Sequence, residues 1–170
     1  TPDRARLHCF GMGNPPLMYL FQKLNVYSLD SMGWLKVAGY GNIFFPFTRA
    51  YNVTYKSLGQ TDAFVSYEEI ERLKEITGHR CRFCDDPALL TKSRMQRAVH
   101  NLAALLDTVE QLGTLDDTSI LQIMNGRTAY YKFYQEVCRF GREGHLSHSS
   151  SGFADLLGRD TATAQRPHPQ

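Results

Sequence analysis

Residues 7 to 30 read LHCFGMGNPPLMYLFQKLNVYSLD, and this stretch decides the fold class. Residues 6 to 10 are apolar-rich and stop at a cluster of glycine, asparagine and proline, which is typical of a strand that ends in a tight loop. Pro16 suits the first turn of a helix with an apolar face up to Asn25, and residues 26 to 30 predict a second strand. Strand, helix and strand with short connections form a βαβ unit, so an α/β fold with two parallel neighbouring strands is predicted.

Periodicity and chain breakers predict the remaining elements. These are a weak helix at 34–40, hairpin strands at 42–47 and 50–55, and helices at 66–78, about 91–113 and about 117–140. Ser66 and Glu69 form a capping box at the start of the first long helix, and Gly78 ends it. The helix at 91–113 has apolar residues at three- and four-residue intervals, and it should form an antiparallel pair with the helix that follows.

The composition suits one domain or part of a larger one. The chain has 170 residues, 42% of them hydrophobic, and a formal net charge of +2, which neither requires nor excludes a nucleic-acid partner. No apolar run approaches the length of a membrane span, and no signal segment is visible. Four cysteines without a disulfide framework predict a reducing compartment, so we expect a cytoplasmic protein. The chain enters a strand within a few residues and lacks an initiator Met, which suggests a fragment.

A metal site is indicated by the spacing of His79, Cys81 and Cys84, with His100 further along in the predicted long helix. Zinc prefers four tetrahedral thiolate and imidazole ligands, and two close groups on a knuckle and a helix allow that geometry. Four protein ligands leave no open position, so the metal would be structural. The alternative is that the cysteines are unmetallated surface thiols and His100 is an ordinary helix residue.

Two further features carry possible chemistry at the predicted strand ends. Asp30 ends a parallel strand, where a carboxylate can act as a nucleophile or a base, although a turn-forming or helix-capping role is the common alternative. In the first loop, Gly11 and Gly13 allow a ligand to approach the backbone, and Phe10 or Met12 can stack on a flat ring. The alternative for this loop is a plain tight turn.

Four motifs in this order resemble one family. Residues 8–15, HCFGMGNP, resemble a strand motif H-x-x-G-x-G-x-P, and residues 25–31, NVYSLDS, resemble a strand that bears a nucleophilic aspartate. Residues 79–84, HRCRFC, resemble the zinc motif C-x-C-x-x-C, and residues 100–102, HNL, resemble the motif of the last ligand. The family is the queuine and archaeosine tRNA-guanine transglycosylases, and the likeness covers about residues 7–112.

The resemblance implies a fold and a domain organisation. The chain would be the C-terminal portion of a (β/α)8 TIM-type barrel, with an inserted zinc-binding subdomain and closing C-terminal helices. The expected parts are the last barrel strands and the nucleophile at 1–62, the zinc-binding subdomain and long helix at 63–113, a C-terminal helix at 114–141 and a flexible tail at 142–170.

The resemblance also implies an activity. Asp30 would attack the anomeric carbon of a target guanosine and expel guanine, and a 7-deazaguanine base would take its place through a covalent aspartyl-glycosyl intermediate. Phe10 would stack on the base, and the Gly11–Met12–Gly13 backbone would line its pocket. His79 stands where the family has cysteine, so the structural Zn²⁺ would be bound by two cysteines and two histidines: His79, Cys81, Cys84 and His100.

The residues after Asp30 indicate which nucleic acid is the expected substrate. The bacterial Leu-Pro-Thr-Arg is replaced by Gly33-Trp-Leu-Lys36, and Lys36 keeps a positive charge without the bidentate fork of arginine. This stretch resembles the branch that inserts 7-deazaguanine into DNA, so DNA is favoured over tRNA as the partner. No membrane partner is expected.

A second hypothesis is a non-catalytic, zinc-stabilised nucleic-acid-binding or partner subunit. The family's other catalytic carboxylates lie in an upstream half of the barrel that this chain does not contain, so the chain alone should be incomplete and inactive. A phosphate-facing patch could form from Arg80, Arg82, Lys92, Arg94 and Arg97, although these residues suit a solvated helix face equally well. A homodimer and a missing N-terminal half are both compatible with the sequence.

Overall fold

The computed structural model of the chain describes residues 6–54 and 65–142. This part is mixed α/β and mostly helical, which confirms the α/β class. Its elements are β1 (His8–Cys9), α1 (Pro15–Lys23), β2 (Ser28–Leu29), α2 (Gly33–Gly39), β3 (Asn42–Ile43), β4 (Tyr51–Asn52), α3 (Tyr67–Thr77), α4 (Arg82–Asp85), α5 (Pro87–Lys92), α6 (Arg94–Thr114), α7 (Asp117–Met124) and α8 (Tyr131–Arg142). Among the described helices, none combines the length and apolarity needed to cross a membrane.

The predicted βαβ unit is confirmed. β1 and β2 pair in parallel, with His8 opposite Ser28 and Cys9 opposite Leu29. The connecting helix α1 begins at the cap Asn14, whose side chain accepts a hydrogen bond of 3.0 Å from the backbone N–H of Leu17. The carboxyl ends of the two strands therefore meet at one edge.

The predicted hairpin is present, but its strands are shorter than expected. β3 and β4 are antiparallel and have two residues each. Residues 45–48 form a turn where the prediction had strand: Phe47 has a φ of 59°, and the Thr48 hydroxyl donates to the Phe45 carbonyl at 3.0 Å. The part of the second predicted strand at residue 55 lies outside the described residues.

Helix α3 follows the prediction at both ends. The Ser66 hydroxyl accepts a hydrogen bond of 3.2 Å from the backbone N–H of Glu69, and Gly78 ends the helix with a φ of 68°. Helix α6 begins at Arg94 instead of Thr91, because residues 87–92 form the separate helix α5 and the Ser93 side chain caps α6. The apolar residues that predicted α6 lie mostly on its exposed face.

The prediction of one continuous helix over residues 117–140 is wrong. Helix α7 ends at Met124, and Gly126 has a φ of 71°, which a helix cannot contain. After a short connection, α8 begins at Tyr131. The antiparallel pairing with α6 is also wrong, because α7 packs against α8 and α1 through a core that includes Tyr19, Ile120 and Tyr134.

Two predictions fall on residues that the structure does not describe. The boundary between the first two parts, at residues 62 and 63, lies within the undescribed range 55–64. The predicted tail beyond residue 142 also lies outside the described residues.

Candidate functional site

The four residues predicted to bind a metal come together in the structure. Their ligand atoms all lie within 4.8 Å of one another, and no residue of the group is exposed. His79 follows the end of α3, Cys81 caps α4, Cys84 lies within α4, and His100 lies in the middle of α6. The group thus joins a loop and a short helix to the longest helix of the described chain.

The two sulfur atoms face each other and the second imidazole. The Sγ atoms of Cys81 and Cys84 are 3.5 Å apart, and the Sγ of Cys81 is 3.2 Å from Nδ1 of His100. The hydrogen bond from the Cys84 thiol and the one with His100 lower the pKa of the Cys81 thiol. A thiolate is the form of cysteine that binds metal, so this environment suits Cys81 as a metal ligand. The hydrogen bond with Cys81 and burial raise the pKa of the Cys84 thiol.

His79 is oriented for metal binding by Asp107. Its Nδ1 lies 2.6 Å from Oδ2 of Asp107, and this carboxylate accepts the Nδ1 proton. Nε2 is buried and has no hydrogen-bond partner among the described residues. Burial opposes charging of the ring, but the neighbouring Cys81 thiol and the Asp107 carboxylate outweigh it and raise the pKa of His79. An imidazole fixed by a carboxylate with its other nitrogen free is typical of a zinc ligand.

His100 and Asn101 hold the same peptide segment. Nε2 of His100 lies 2.8 Å from the carbonyl oxygen of Phe44, and Oδ1 of Asn101 accepts a bond of 2.7 Å from the N–H of Phe44. The amide nitrogen of Asn101 also donates to the carbonyl of Trp34 at 3.0 Å. The bond to Phe44 leaves Nδ1 of His100 for a metal. The donor set and the orphaned Nε2 of His79 therefore fit a tetrahedral zinc ion.

Asp30 lies against the glycine turn, as predicted. The backbone N–H of Gly11 donates to Oδ1 of Asp30 at 2.6 Å, and the N–H of Asp30 donates to the carbonyl of Cys9 at 3.1 Å. Gly11 has a φ of 69°, which glycine adopts without strain. The carboxylate is exposed, so it is open to a ligand.

Ser31 fixes the other side of this turn. Its hydroxyl donates to the carbonyl of Gly13 at 2.9 Å and accepts from the N–H of Gly33 at 2.9 Å. A Cβ atom on Gly13 would lie 2.4 Å from Cβ of Ser31, so only glycine allows this close approach. The second glycine is therefore needed for packing.

A cavity of about 530 Å³ opens beside the turn. Gly11, Met12 and Gly13 line one side of the cavity. The side chains or backbones of Phe44, Thr48, Arg49, Ala50 and residues 128–130 line other parts of it.

Phe10, Asp30 and Lys36 are exposed and are not among the described residues that line the cavity. Phe10 is 75% exposed, and its ring meets that of His8 edge to face at 4.3 Å between centroids. Lys36 lies on α2.

One of the five residues of the predicted basic patch is not at the surface. Arg97 is buried, and its guanidinium donates to the carbonyls of Ala38 at 2.9 Å and Leu90 at 2.7 Å. It therefore holds α2 and α5 against α6 and is not available to a phosphate. The other four cations of the patch are exposed: Arg80, Arg82, Lys92 and Arg94.

Some residues of the site were not predicted from the sequence. Asp107 lies seven residues after His100, which places both on one side of a helix, and that spacing could have identified it. Residues 128–130 were assigned to a helix, so their place in the cavity wall was missed. Comparisons with protein-family models, curated proteins and solved structures found no match for the chain.

Proposed function

We propose that this chain carries the nucleophile of a base-exchange transglycosylase that replaces guanine in a nucleic acid with a 7-deazaguanine base. The observation that carries the proposal is the bond of 2.6 Å from the Gly11 N–H to the Asp30 carboxylate. It places a carboxylate at the strand ends beside a glycine turn and a cavity, where α/β proteins commonly bind their ligands. The four motifs that resemble the transglycosylase family give the reaction class.

The chemistry assigned to Asp30 is a double displacement. Oδ1 is bound by Gly11, so Oδ2 attacks the anomeric carbon, and the glycosidic bond breaks with its electron pair going to guanine, which is protonated as it leaves. The product is a glycosyl ester of Asp30. The ring nitrogen of the incoming base then attacks the same carbon, loses its proton and releases the carboxylate. The acid and base for these protons would come from outside the described residues.

The glycine turn provides the proposed base pocket. The backbone of Gly11 and Gly13 presents no side chain, so a flat heterocycle can lie against it, with Met12 at the wall of the cavity. Phe10 is exposed at the same turn and is proposed to stack on the base. The target nucleotide must leave its stack to reach the carboxylate.

The fold proposed for the complete protein is a (β/α)8 barrel of which this chain supplies the last part. The parallel pair β1 and β2, with α1 between them and Asp30 at the carboxyl end, is the unit from which such barrels are built. The remaining strands and the other catalytic carboxylates would come from an upstream half.

A structural zinc ion is proposed for His79, Cys81, Cys84 and His100. Four protein ligands would leave no position for water or substrate, so the ion would stabilise the fold without taking part in the reaction. Through these ligands it would hold α4 and the loop after α3 against α6.

DNA is proposed as the substrate in preference to tRNA. The support is the resemblance of residues 30–35 to the DNA-modifying branch. Lys36, exposed on α2, would act as a point charge toward a phosphate.

The proposal is tested by base exchange with the full-length protein. Labelled guanine and 7-deazaguanine are offered with DNA and with tRNA, and incorporation into DNA is expected. Asp30→Ala and Asp30→Asn should abolish incorporation, because neither side chain can form the glycosyl ester. Glu75→Gln, at an exposed position of α3, is the matched control. Exchange that persists in Asp30→Ala would exclude Asp30 as the nucleophile.

A non-catalytic nucleic-acid-binding subunit is the second candidate. The observation that favours it is the exposure of four cations of the predicted patch: Arg80, Arg82, Lys92 and Arg94. Arg80, Arg82 and Arg94 lie on segments that also carry the candidate metal ligands, and Lys92 lies at the end of α5. This function predicts binding that weakens steeply with salt and with neutralisation of these four residues, but no base exchange. Loss of binding in the fourfold variant, together with an inactive full-length protein, would favour it over the enzyme.

A further inference from the structure

The parallel pair of β1 and β2 turns one face to the core and leaves the other open. Successive side chains of a strand point to opposite faces, so His8 and Phe10 share one face of β1, and Ser28 and Asp30 share the matching face of β2. On the opposite face, Leu29 packs against a hydrophobic cluster. On the open face, three of the four side chains are exposed and Ser28 is half-buried. This face therefore carries the proposed nucleophile and the proposed stacking ring together with two polar side chains that have no role in the proposed reaction.

A hydrogen bond joins these two polar side chains across the strands. Nδ1 of His8 lies 2.8 Å from Oγ of Ser28. The imidazole is thus held at two points, by its bond to Cβ and by the hydroxyl, and together they determine the orientation of the ring plane. Because His8 is exposed and water competes for its hydrogen bonds, this bond contributes little to the stability of the fold. Its effect is to fix the imidazole relative to both strands.

The imidazole of His8 contacts the ring of Phe10. Their centroids are 4.3 Å apart and their planes meet at 69°, which is the edge-to-face arrangement that aromatic pairs prefer. Whichever ring presents its edge, the imidazole leaves at least one face of the Phe10 ring uncovered. Phe10 is 75% exposed, so without His8 its side chain would exchange among its rotamers in water. The contact selects one orientation of the ring and keeps a face free for a flat ligand.

We propose that His8 is a positioning residue for the stacking ring: Ser28 orients the imidazole, and the imidazole holds Phe10 where a base can stack on it. This inference rests on the proposed function, which assigns Phe10 to the base. A base that meets a ring already in place binds more tightly, because less conformational freedom is lost on binding. On the same face, the Gly11 N–H fixes the carboxylate of Asp30. Two hydrogen bonds between β1 and β2 thus orient the two groups that would meet the base and the sugar of one nucleoside.

The first test observes the Phe10 ring without any base. The full-length protein is prepared with isotope-labelled phenylalanine rings, and the Phe10 resonances are assigned by their absence from Phe10→Leu. His8→Ala should shift these resonances, and Ser28→Ala should shift them in the same direction by a smaller amount, because the imidazole is then less well oriented. Tyr27→Phe removes the neighbouring exposed hydroxyl from the opposite face and is the matched control. Resonances that do not move in His8→Ala would overturn the proposal, whether or not the protein exchanges bases.

The second test measures the affinity of the same protein for labelled 7-deazaguanine by equilibrium dialysis. His8→Ala should raise the dissociation constant by about 2- to 10-fold, which is the range expected for loss of one aromatic contact. In the Phe10→Ala background, His8→Ala should have no further effect, because the imidazole acts through the ring. A residue with a merely structural role would weaken binding equally in both backgrounds, and that result would overturn the proposal.

The same binding measurements separate this inference from the proposed function. If Phe10→Ala weakens binding of 7-deazaguanine and His8→Ala does not, the stacking role of Phe10 stands and the positioning role of His8 is wrong. An affinity that Phe10→Ala leaves unchanged would remove Phe10 from the base pocket, which contradicts the proposed function and this inference with it.

Discussion

Asp107 determines which nitrogen of His79 is available to a metal. Its carboxylate accepts the Nδ1 proton at 2.6 Å, so the lone pair remains on Nε2. We expect Asp107→Asn to lower zinc affinity by about 10- to 100-fold, because the amide cannot fix the tautomer as the carboxylate does. Competition with a chromogenic chelator measures the affinity. Asp86→Asn, at an exposed residue after α4, is the control, and an unchanged affinity in Asp107→Asn would remove Asp107 from the site.

Gly13 is a second residue whose side chain decides the local structure. Gly13→Ala places a Cβ atom 2.4 Å from Cβ of Ser31, so we expect the free energy of unfolding to fall by about 1–3 kcal/mol. Ser31→Gly in the same chain removes the obstructing atom and should recover part of that loss. Urea denaturation of the two single variants and the double variant gives the coupling. Additive effects would mean that the turn relaxes without contact with Ser31.

The individual residues of the site were largely predictable from sequence. The spacing of His79, Cys81, Cys84 and His100 predicted a group that the structure brings together, and the strand end predicted the approach of Asp30 to the turn. Ser31 and Asp107 were not predicted. Their roles depend on which side chains come into contact in the folded protein. From the sequence alone, a serine or an aspartate is equally compatible with an exposed position that contacts nothing.

At the scale of the elements, the break between α7 and α8 depends on Gly126. Its φ of 71° is strained for any residue with a side chain, so Gly126→Ala should destabilise the protein by about 1 kcal/mol. Gly113→Ala is the matched substitution within α6, where an added Cβ meets nothing within 4 Å. It should stabilise by up to about 1 kcal/mol because alanine favours helix. Thermal denaturation compares the two, and equal effects would contradict the assigned conformations.

The two element-level errors have different physical causes. For residues 117–140 the apolar spacing was compatible with one helix. The left-handed conformation of Gly126 separates this segment into α7 and α8. For α6 the spacing correctly predicted a helix but not its orientation, because the same three- and four-residue period results whether the apolar face is buried or exposed. Here the core side is taken by polar residues such as Asn101 and Arg97, whose hydrogen bonds to neighbouring backbones no periodicity reveals.

At the scale of the whole molecule, the metal group links three separate segments of the fold. Ligands from α4, α6 and the loop after α3 would be held by one ion, so its binding energy contributes to folding. Zinc at about a thousand times its dissociation constant adds about 4 kcal/mol, and its removal by a chelator should lower the melting temperature by about 10 °C. Calorimetry with and without the chelator measures this shift.

Cysteine variants provide the comparison for that experiment. Cys81→Ala should melt at the lower temperature without chelator and should bind no stoichiometric metal, whereas Cys9→Ala, in β1, should retain both metal and stability. A chelator that leaves the melting temperature of the wild-type chain unchanged would show that the group does not hold a stabilising ion.

The large-scale arrangement was predictable only in outline. The α/β class and the parallel βαβ unit follow from short-range signals in residues 7–30. How α7 packs on α1 and α8, and how the cavity closes, depends on contacts between segments about a hundred residues apart, such as Tyr19 with Tyr134. Such contacts leave no local pattern in the sequence.

Both backbone polar groups of Phe44 are bound by adjacent residues of α6: its carbonyl lies against Nε2 of His100, and its N–H donates to Oδ1 of Asn101. The same residue forms part of the cavity wall. An imidazole that shifted on release of a metal would pull on this backbone, so we expect loading of an ion to change the shape of the cavity. A fluorine label on the Phe44 ring would therefore report metal occupancy as a change in its resonance, from a position where no ligand of the ion is found.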